Sequence, residues 1–243
     1  MSIIRRAMDV MLPQRCTVCS SLAVPREEVI TRLPDGMALC FDCMSDLAPM
    51  PEDKRWMLCL SEPYSGDPIP SLTLYMPFKY DGFFSRAVPA MKFQGKSQIA
   101  EFMGMLLGNM LKEDSVEADL IVSVPLSEER LRERGYNQAE LIASAASKVV
   151  GIPAARDVLM RVKDTERQTS LADKAGRGSN VDRAFMVREG WDIADVRIIL
   201  IDDVATTGHT LHSAAETLFA AGARNVLCCA VCGNRYSTND EVF

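Results

Sequence analysis

The sequence predicts an α/β protein in which helices cover both faces of a parallel sheet, preceded by a small metal-stabilised module. From Leu72 onward, continuous apolar segments alternate with amphipathic ones, which is typical of buried parallel strands joined by helices. Residues 14–62 instead have little periodicity and many Cys, Pro and turn residues. A module of that size has too small a core to be stable without a metal.

The composition is that of an ordinary globular protein, with 48% hydrophobic and 25% charged residues, and it excludes disorder, collagen and coiled coil. No run approaches the roughly 18 apolar residues that a membrane helix needs, so we expect no membrane partner. Residues 1–13 lack an unbroken apolar core, which favours a short amphipathic helix over a targeting segment. Because the cysteines are paired at metal-binding spacings, we expect a protein of the reducing cytoplasm.

The large domain is predicted to contain four strands and four helices. The strands are expected at 72–78, 119–126, 196–202 and 225–232, and the helices at 83–92, 99–111, 139–150 and 210–222. Residues 63–70 contain three prolines and a glycine, the composition of a linker.

Four cysteines near the amino terminus have the spacing of a structural zinc site. Cys16 and Cys19 form one Cys-x2-Cys turn, Cys40 and Cys43 form another, and 20 residues separate the two. Disulfides or free thiols are the alternative. Four thiolates leave no open position for a substrate, so the predicted role of the zinc is structural.

The other four cysteines do not fit a second metal site. Cys59 has Glu62 where a further Cys-x2-Cys turn would need a cysteine. Cys228, Cys229 and Cys232 fall in an apolar strand, where positions three apart point to opposite faces. They are interpreted as buried structural thiols.

The stretch from Ile198 to Leu211 has the pattern of an anion site: a buried strand, two acids, a loop of small and hydroxylated residues, and a helix. The acids are Asp202 and Asp203, which can accept hydrogen bonds from sugar hydroxyls or attract magnesium. The alternative is that these acids and the threonines only cap a turn and a helix. The predicted loop comprises Ala205, Thr206, Thr207, Gly208, His209 and Thr210.

This unit resembles the 5-phosphoribosyl 1-diphosphate (PRPP) signature of type I phosphoribosyltransferases. The resemblance implies that the acid pair holds the ribose 2- and 3-hydroxyls, stabilises positive charge at the anomeric carbon, and works with magnesium. It also implies that the loop binds the 5-phosphate. His209 and His212 lack a nearby cysteine or acid to complete a metal site, so no metal is expected there.

A second motif, Ser123 to Leu141, combines a strand end with Arg-Gly-Tyr-Asn-Gln at 134–138. With Lys92-Phe-Gln-Gly upstream and the basic stretch 161–185 downstream, the chain closely resembles the ComF family. That resemblance implies a zinc ribbon with an amino-terminal helix in residues 1–65 and a type I phosphoribosyltransferase domain in residues 66–243. It also implies a likeness to the transferase half of glutamine amidophosphoribosyltransferases, without their glutaminase.

The ComF resemblance assigns a ligand role to several basic and turn residues. Residues 161–185 would form a hood over the site. The residues implied to contact PRPP, beyond the acid pair and the loop, are Lys92, Ser123, Val124, Pro125, Leu126, Arg134, Asn137, Arg161, Lys163 and Arg167. For any single basic residue of the hood, a solvated surface position is the alternative.

Three functions remain open at this point. The first is a magnesium-dependent phosphoribosyltransferase, and the second is a PRPP or nucleotide sensor without catalysis. The third follows from the family's link to DNA uptake and utilisation: the protein handles single-stranded DNA or binds a helicase, using Arg130, Arg132, Arg134 and Tyr136. The net charge of −6 argues against general polyanion binding, although residues 126–188 carry 12 Lys and Arg against 9 Asp and Glu.

Overall fold

A computed structural model describes residues 14–24, 33–59, 72–162 and 184–234. The helices are α1 (Phe41–Ser45), α2 (Gly82–Phe93), α3 (Ser97–Glu113), α4 (Glu128–Arg134), α5 (Gln138–Val150) and α6 (His209–Ala220), with a 3₁₀ helix at Glu52–Lys54. The strands are β1 (Trp56–Cys59), β2 (Leu72–Tyr75), β3 (Phe78–Lys79), β4 (Leu120–Ser123), β5 (Ala154–Ala155), β6 (Leu159–Arg161), β7 (Phe185–Val187), β8 (Arg197–Ala205) and β9 (Asn225–Gly233).

Seven strands form one sheet in the order β1-β2-β9-β8-β4-β5, and β3 also pairs with β9. Every pairing is parallel except that of β1 with β2. Ile199 of β8 is paired with Ile121 of β4 and with Leu227 of β9. A separate antiparallel pair, β6 and β7, lies outside the sheet. The predicted α/β class with a parallel sheet is confirmed.

Both faces of the sheet are buried, which explains why its central strands are apolar throughout. Along β8, Ile199 and Ile201 pack into a core with α2, α3 and α5, whereas Ile198 and Leu200 pack into a second core with α6. Helix α3 approaches α5 closely at Gly104, where an added Cβ would collide with the backbone of α5. The small size of Gly104 therefore allows α3 and α5 to pack tightly against each other.

The predicted elements are present, and the structure adds details that the pattern did not reveal. The expected strand 72–78 is divided into β2 and β3 at Met76 and Pro77. The basic turn after β4 is a helix, α4, because Ser127 accepts a hydrogen bond from the Arg130 N–H and so caps it. Strands β1, β5, β6 and β7 are too short to give a periodic signal.

The cysteine module packs directly on the large domain. Cys40 and Cys43 share a core with Phe83 and Phe84 of α2. Strand β1, which precedes the predicted boundary between residues 65 and 66, extends the main sheet. The boundary itself, the expected linker at 63–70 and the expected helix at 1–13 lie outside the described residues, so the domain division stays a prediction.

A buried ionic cluster connects the start of β1 to the end of α3. Arg55 is 6% exposed and donates to Asp114 at 2.7 Å and to the Met50 carbonyl at 2.9 Å. Tyr75 donates to the other oxygen of Asp114 at 2.6 Å.

Within the described ranges, no helix combines the length and the apolar character that crossing a membrane requires.

Candidate functional sites

The four amino-terminal cysteines form a compact cluster. The Sγ atoms of Cys16, Cys19, Cys40 and Cys43 all lie within 4.8 Å of one another, and Sγ of Cys19 is 3.4 Å from that of Cys40. Four thiolates at a Zn–S distance of about 2.3 Å form a tetrahedron whose edges are about 3.8 Å. The cluster is therefore compatible with zinc, and all four are free thiols, not disulfides.

Local backbone geometry brings the thiols together. The Cys16 N–H donates to Ser21 O at 2.8 Å, and the turn between them includes Ser20 at a φ of 65°. Cys40 is the residue immediately before α1, and Cys43 lies within that helix. Each pair is thus placed by its own short turn, which is why sequence spacing alone could predict it.

The large domain contributes a cation to the cluster. Arg86 of α2 donates to Cys43 Sγ at 3.6 Å and to Asp46 at 2.6 Å. Hydrogen bonds from Ser21 lower the pKa of Cys19 to about 6, whereas burial raises the pKa of Cys43. Donors beside a thiolate offset its negative charge and orient the ligand.

The remaining described cysteines are buried in the sheet. Cys228, Cys229 and Cys232 lie in β9 as free thiols, as predicted. Across the part of the chain that the structure describes, the four-cysteine cluster is the single group of three or more His, Cys, Asp or Glu side chains placed to share a metal ion. The side chain of Cys59 lies outside that part.

A pocket of about 450 Å³ opens at the carboxyl ends of β4 and β8. This is the edge at which open α/β sheets bind their ligands. The lining residues are Tyr80, Val88, Lys92, Val124, Pro125, Leu126, Arg130, Arg134, Asn137, Gln138, Ala139, Arg161, Asp202, Asp203, Val204, Ala205, Thr206, Thr210 and Asn234.

The acid pair lies near the end of β8. Asp203 is 7% exposed, and its two carboxylate oxygens are 3.0 Å and 2.8 Å from Nζ of Lys92. Asp202 accepts a hydrogen bond from the Asp203 N–H at 2.8 Å. Lys92 therefore serves as counter-ion to Asp203, a contact that sequence spacing could not indicate.

The carboxylates of Asp202 and Asp203 lie close together at a partly buried position and repel each other. Burial and the charge of Asp203 raise the pKa of Asp202 to about 7, although the Asp203 N–H, Lys92 and Arg130 oppose the shift. A ligand that donates hydrogen bonds to Asp202, or a cation beside it, would relieve this repulsion.

The predicted phosphate loop connects β8 to α6. The backbone turns at Gly208, whose φ of 77° favours glycine, and α6 begins at His209. Ala205, Thr206 and Thr210 line the pocket. Thr207, Gly208 and His209 complete the turn. The amino terminus of the 12-residue helix α6 therefore lies beside the pocket.

The turn after β4 forms another wall. Val124, Pro125 and Leu126 line the pocket, and Asn137 donates to the Val124 carbonyl at 3.0 Å. The Asn137 side-chain oxygen accepts from the N–H of Ala139 and caps α5. Asn137 thus holds the turn in place and also lines the pocket, and the phosphate contact that the resemblance implied stays a prediction.

Two buried polar atoms near this wall have no hydrogen-bond partner among the described residues: Oγ of Ser123 and Nε2 of Gln138. Ser123, at the end of β4, is 3% exposed and Gln138, at the start of α5, is 1% exposed. Burying such a group without a partner costs about 1–3 kcal/mol. A ligand or an ordered water would offset that cost.

Three arginines form the basic side of the pocket: Arg130, Arg134 and Arg161. The Arg161 guanidinium carbon lies 5.5 Å from the ring centroid of Phe185. The other two predicted hood cations, Lys163 and Arg167, fall outside the described residues. Sequence reasoning placed Arg130 on a DNA surface and missed Gln138, whose position directly after the helix cap at Asn137 was the available signal.

Tyr136 is engaged inside the fold. Its hydroxyl donates to Met91 O at 2.5 Å, its ring packs against the core, and burial raises its pKa. These contacts argue against Tyr136 as a stacking surface for bases, so the hypothesised DNA surface keeps only its arginines.

Comparison with known proteins agrees with the fold. Residues 137–243 match the family described as the phosphoribosyl transferase domain, and these residues include the acid pair and the loop. The chain is 30% identical to the Competence protein ComFC of Bacillus subtilis over 60% of this chain and 57% of that protein. The resemblance to the ComF family is confirmed.

Two other relatives are named for competence and for DNA utilisation. The Competence protein F of Haemophilus influenzae is 35% identical over 44% of this chain. The match spans about half (47%) of the length of that relative. The DNA utilization protein YhgH of Salmonella typhi is 29% identical over 72% of this chain and 75% of its own length.

Similar solved structures have low identity to this chain. The purine phosphoribosyltransferase of Pyrococcus horikoshii is 18% identical, covering 58% of this chain and 77% of its own, with a TM-score of 0.37. The glutamine PRPP amidotransferase of Bacillus subtilis is 20% identical, covering 59% of this chain and 30% of its own, with a TM-score of 0.41.

Proposed function

We propose that the pocket binds PRPP together with magnesium and that the domain transfers the phosphoribosyl group to an acceptor. The observation that carries the proposal is the composition of one pocket, which combines a carboxylate pair, three arginines and a phosphate-type loop leading into α6. A volume of about 450 Å³ falls within the range of small-ligand sites.

Each part of the pocket suits one part of PRPP. Asp202 and Asp203 offer carboxylate oxygens to the ribose diol. Backbone N–H groups at the start of α6 suit the 5-phosphate. Arg130 and Arg134 supply donors for the diphosphate, since guanidinium groups bind phosphate oxygens in pairs.

The acid pair also suits the chemistry of transfer. Departure of the diphosphate leaves positive charge on the sugar carbon, and two carboxylates held nearby stabilise that charge. Burial and the charge of Asp203 raise the pKa of Asp202 to about 7, and a positively charged sugar beside the pair would favour the ionised form of both carboxylates. The pocket arginines would hold the leaving group.

Magnesium fits this donor set. Carboxylate oxygens are the ligands that it prefers, and Asp202 and Asp203 are the residues that would hold it. When bound, the ion neutralises charge on the diphosphate leaving group. Lys92 neutralises Asp203 and so reduces the repulsion between the two carboxylates before the ligand binds.

The four-cysteine cluster is proposed to bind one structural zinc. Thiolates are stable as metal ligands in a reducing compartment, which supports a cytoplasmic protein. Zinc here contributes to folding, since its four ligands leave no open coordination position.

A calorimetric titration with PRPP tests the function. We expect micromolar binding that requires magnesium and is lost in the Asp202→Asn/Asp203→Asn variant. The matched control is Glu52→Gln/Asp53→Asn, which changes two adjacent exposed acids in the 3₁₀ helix. Absence of binding by the folded, zinc-loaded wild type would contradict the proposal. Binding without transfer to any acceptor would favour a PRPP sensor.

Single-stranded DNA is a second candidate ligand. Arg130 and Arg132 are exposed on α4, and the relatives' names include competence and DNA utilisation. Arg132 does not line the pocket, so Arg132→Gln should weaken salt-dependent DNA binding and leave PRPP binding unchanged. Equal DNA binding by wild type and variant would show that Arg132 does not contact DNA. Absence of DNA binding by both proteins would exclude single-stranded DNA as a ligand.

A further inference from the structure

An exposed aromatic side chain lies at the edge of the pocket. Phe93 is the last residue of α2 and is 77% exposed. Single exposed apolar residues are common on protein surfaces. Phe93 differs because the guanidinium carbon of Arg134, a pocket residue, lies 5.8 Å from its ring centroid, within the range of a cation–π contact.

Arg134 has a second contact from another helix. Its Nη1 donates to Oε1 of Gln138 at 3.1 Å, and Gln138 is 1% exposed at the start of α5. A guanidinium has five N–H donors, of which this contact uses one. A ring from α2 and an amide from α5 therefore support the Arg134 head, which otherwise ends a long flexible side chain.

Gln138 has a donor left over. Its Nε2 is buried without a hydrogen-bond partner among the described residues, and the residue lines the pocket. Burial raises the pKa of Tyr136, and the Gln138 side chain opposes that shift. The Tyr136 hydroxyl donates to Met91 O, but its oxygen can still accept one of the two Gln138 N–H groups, which leaves the other for a ligand. A ligand oxygen beside Arg134 could accept from this amide as well.

We propose that Phe93 and Gln138 are positioning residues that hold Arg134 against the diphosphate of the ligand, with Gln138 donating Nε2–H to the same group. This inference rests on the proposed PRPP site. Lys92 and Phe93 are consecutive at the end of α2, so one helix end supplies both the counter-ion of Asp203 and the support for Arg134. Because Arg134 is already held in place in the free protein, it would lose little further side-chain freedom when the ligand binds.

Two ligands and four variants test the proposal. Titrations use PRPP with magnesium and ribose 5-phosphate, which lacks the diphosphate and is measured by competition. Phe93→Leu keeps an apolar side chain without the ring, and Phe93→Tyr restores the ring. Gln138→Met removes the amide at similar volume. Phe41→Leu is the control, because Phe41 is 70% exposed in the cysteine module.

We expect Phe93→Leu to weaken PRPP binding about two- to fivefold and Gln138→Met about tenfold, with ribose 5-phosphate unaffected. Phe93→Tyr should recover the loss, and Phe41→Leu should match wild type. Unchanged PRPP affinity in Phe93→Leu, with equal melting temperature, would overturn the proposal, as would an equal loss for both ligands. If wild type binds PRPP, such results leave the proposed function standing. If wild type does not bind, both proposals fail.

Discussion

The four-cysteine cluster and the sheet pocket assemble their side chains in different ways. In the cluster, two short turns place four thiols within 4.8 Å of one another. In the pocket, Lys92 and Asp203 are 111 residues apart and meet because the end of α2 lies beside the end of β8. The proposed zinc would therefore hold the cluster together, whereas the pocket depends on packing of the whole sheet.

Helix α2 contacts both sites. Arg86, in its first half, donates to Cys43, and Lys92, near its end, pairs with Asp203. Between them, Ala87, Val88 and Ala90 are buried against the sheet. Helix α2 thus raises one question: does ligand binding in the pocket require the metal, or only the packing of α2?

Removal of the metal should have the largest effect. Because Cys40 and Cys43 belong to the same core as α2, chelation of zinc should lower the melting temperature by about 10 °C or more. Zinc returned to the sample should restore it. A reductant alone should change nothing, and a large destabilisation by reductant would favour disulfides instead.

The next largest effect tests the packing at the carboxyl end of α3, on the same face of the sheet. Asp114→Asn leaves the buried Arg55 charge without its carboxylate partner at 2.7 Å and should cost about 3 kcal/mol in the free energy of unfolding. Denaturant titration measures this. The neighbouring Glu113→Gln is the control, because its side chain is 58% exposed. Equal costs for the two variants would show that Arg55 does not need Asp114.

The sites differ in how much of each the sequence could predict. The cysteines and the Asp202–Thr210 unit are contiguous patterns whose chemistry depends on local turns, and the sequence predicted where both lie. The contact of Phe93 with Arg134 joins the ends of α2 and α4, and no periodicity indicates it. Strand β1 was also missed, because its four residues acquire a pattern only when paired with β2.

A smaller effect should come from the acid pair itself. The pKa of Asp202 is about 7 in the folded protein against an ordinary value of 3.8. Between these values the folded state binds more protons than the unfolded state, so Asp202 destabilises the fold as pH rises toward and through 7. Asp202→Asn should therefore be more stable than wild type at pH 8 by about 1 kcal/mol, although it loses PRPP.

Thermal unfolding at two pH values checks this. The advantage of Asp202→Asn should be largest at about pH 8 and clearly smaller at about pH 5, because the penalty accumulates between the unfolded pKa of 3.8 and the folded pKa of about 7. Asp53→Asn, in the exposed 3₁₀ helix, should show no such dependence. The same advantage at both pH values would mean that the repulsion by Asp203 is not its cause.

The smallest expected change in stability answers the question about α2. Arg86 and Asp46 form a pair whose side chains are 40% and 35% exposed, so Arg86→Met should cost less than about 1 kcal/mol when zinc is saturating. Loss of the donor to Cys43 should nonetheless let a chelator remove zinc about tenfold more readily. Arg132→Met, exposed on α4, is the matched control.

The PRPP affinity of the zinc-loaded Arg86→Met variant then shows whether ligand binding in the pocket depends on the Arg86 contact with the cysteine cluster. Buried residues such as Phe83, Phe84 and Met91 hold α2 against the core independently of Arg86. We therefore expect unchanged affinity while zinc is bound, and a loss only after chelation disrupts the shared core. A loss of affinity in the loaded variant would mean instead that the Arg86 contact itself sets the position of Lys92.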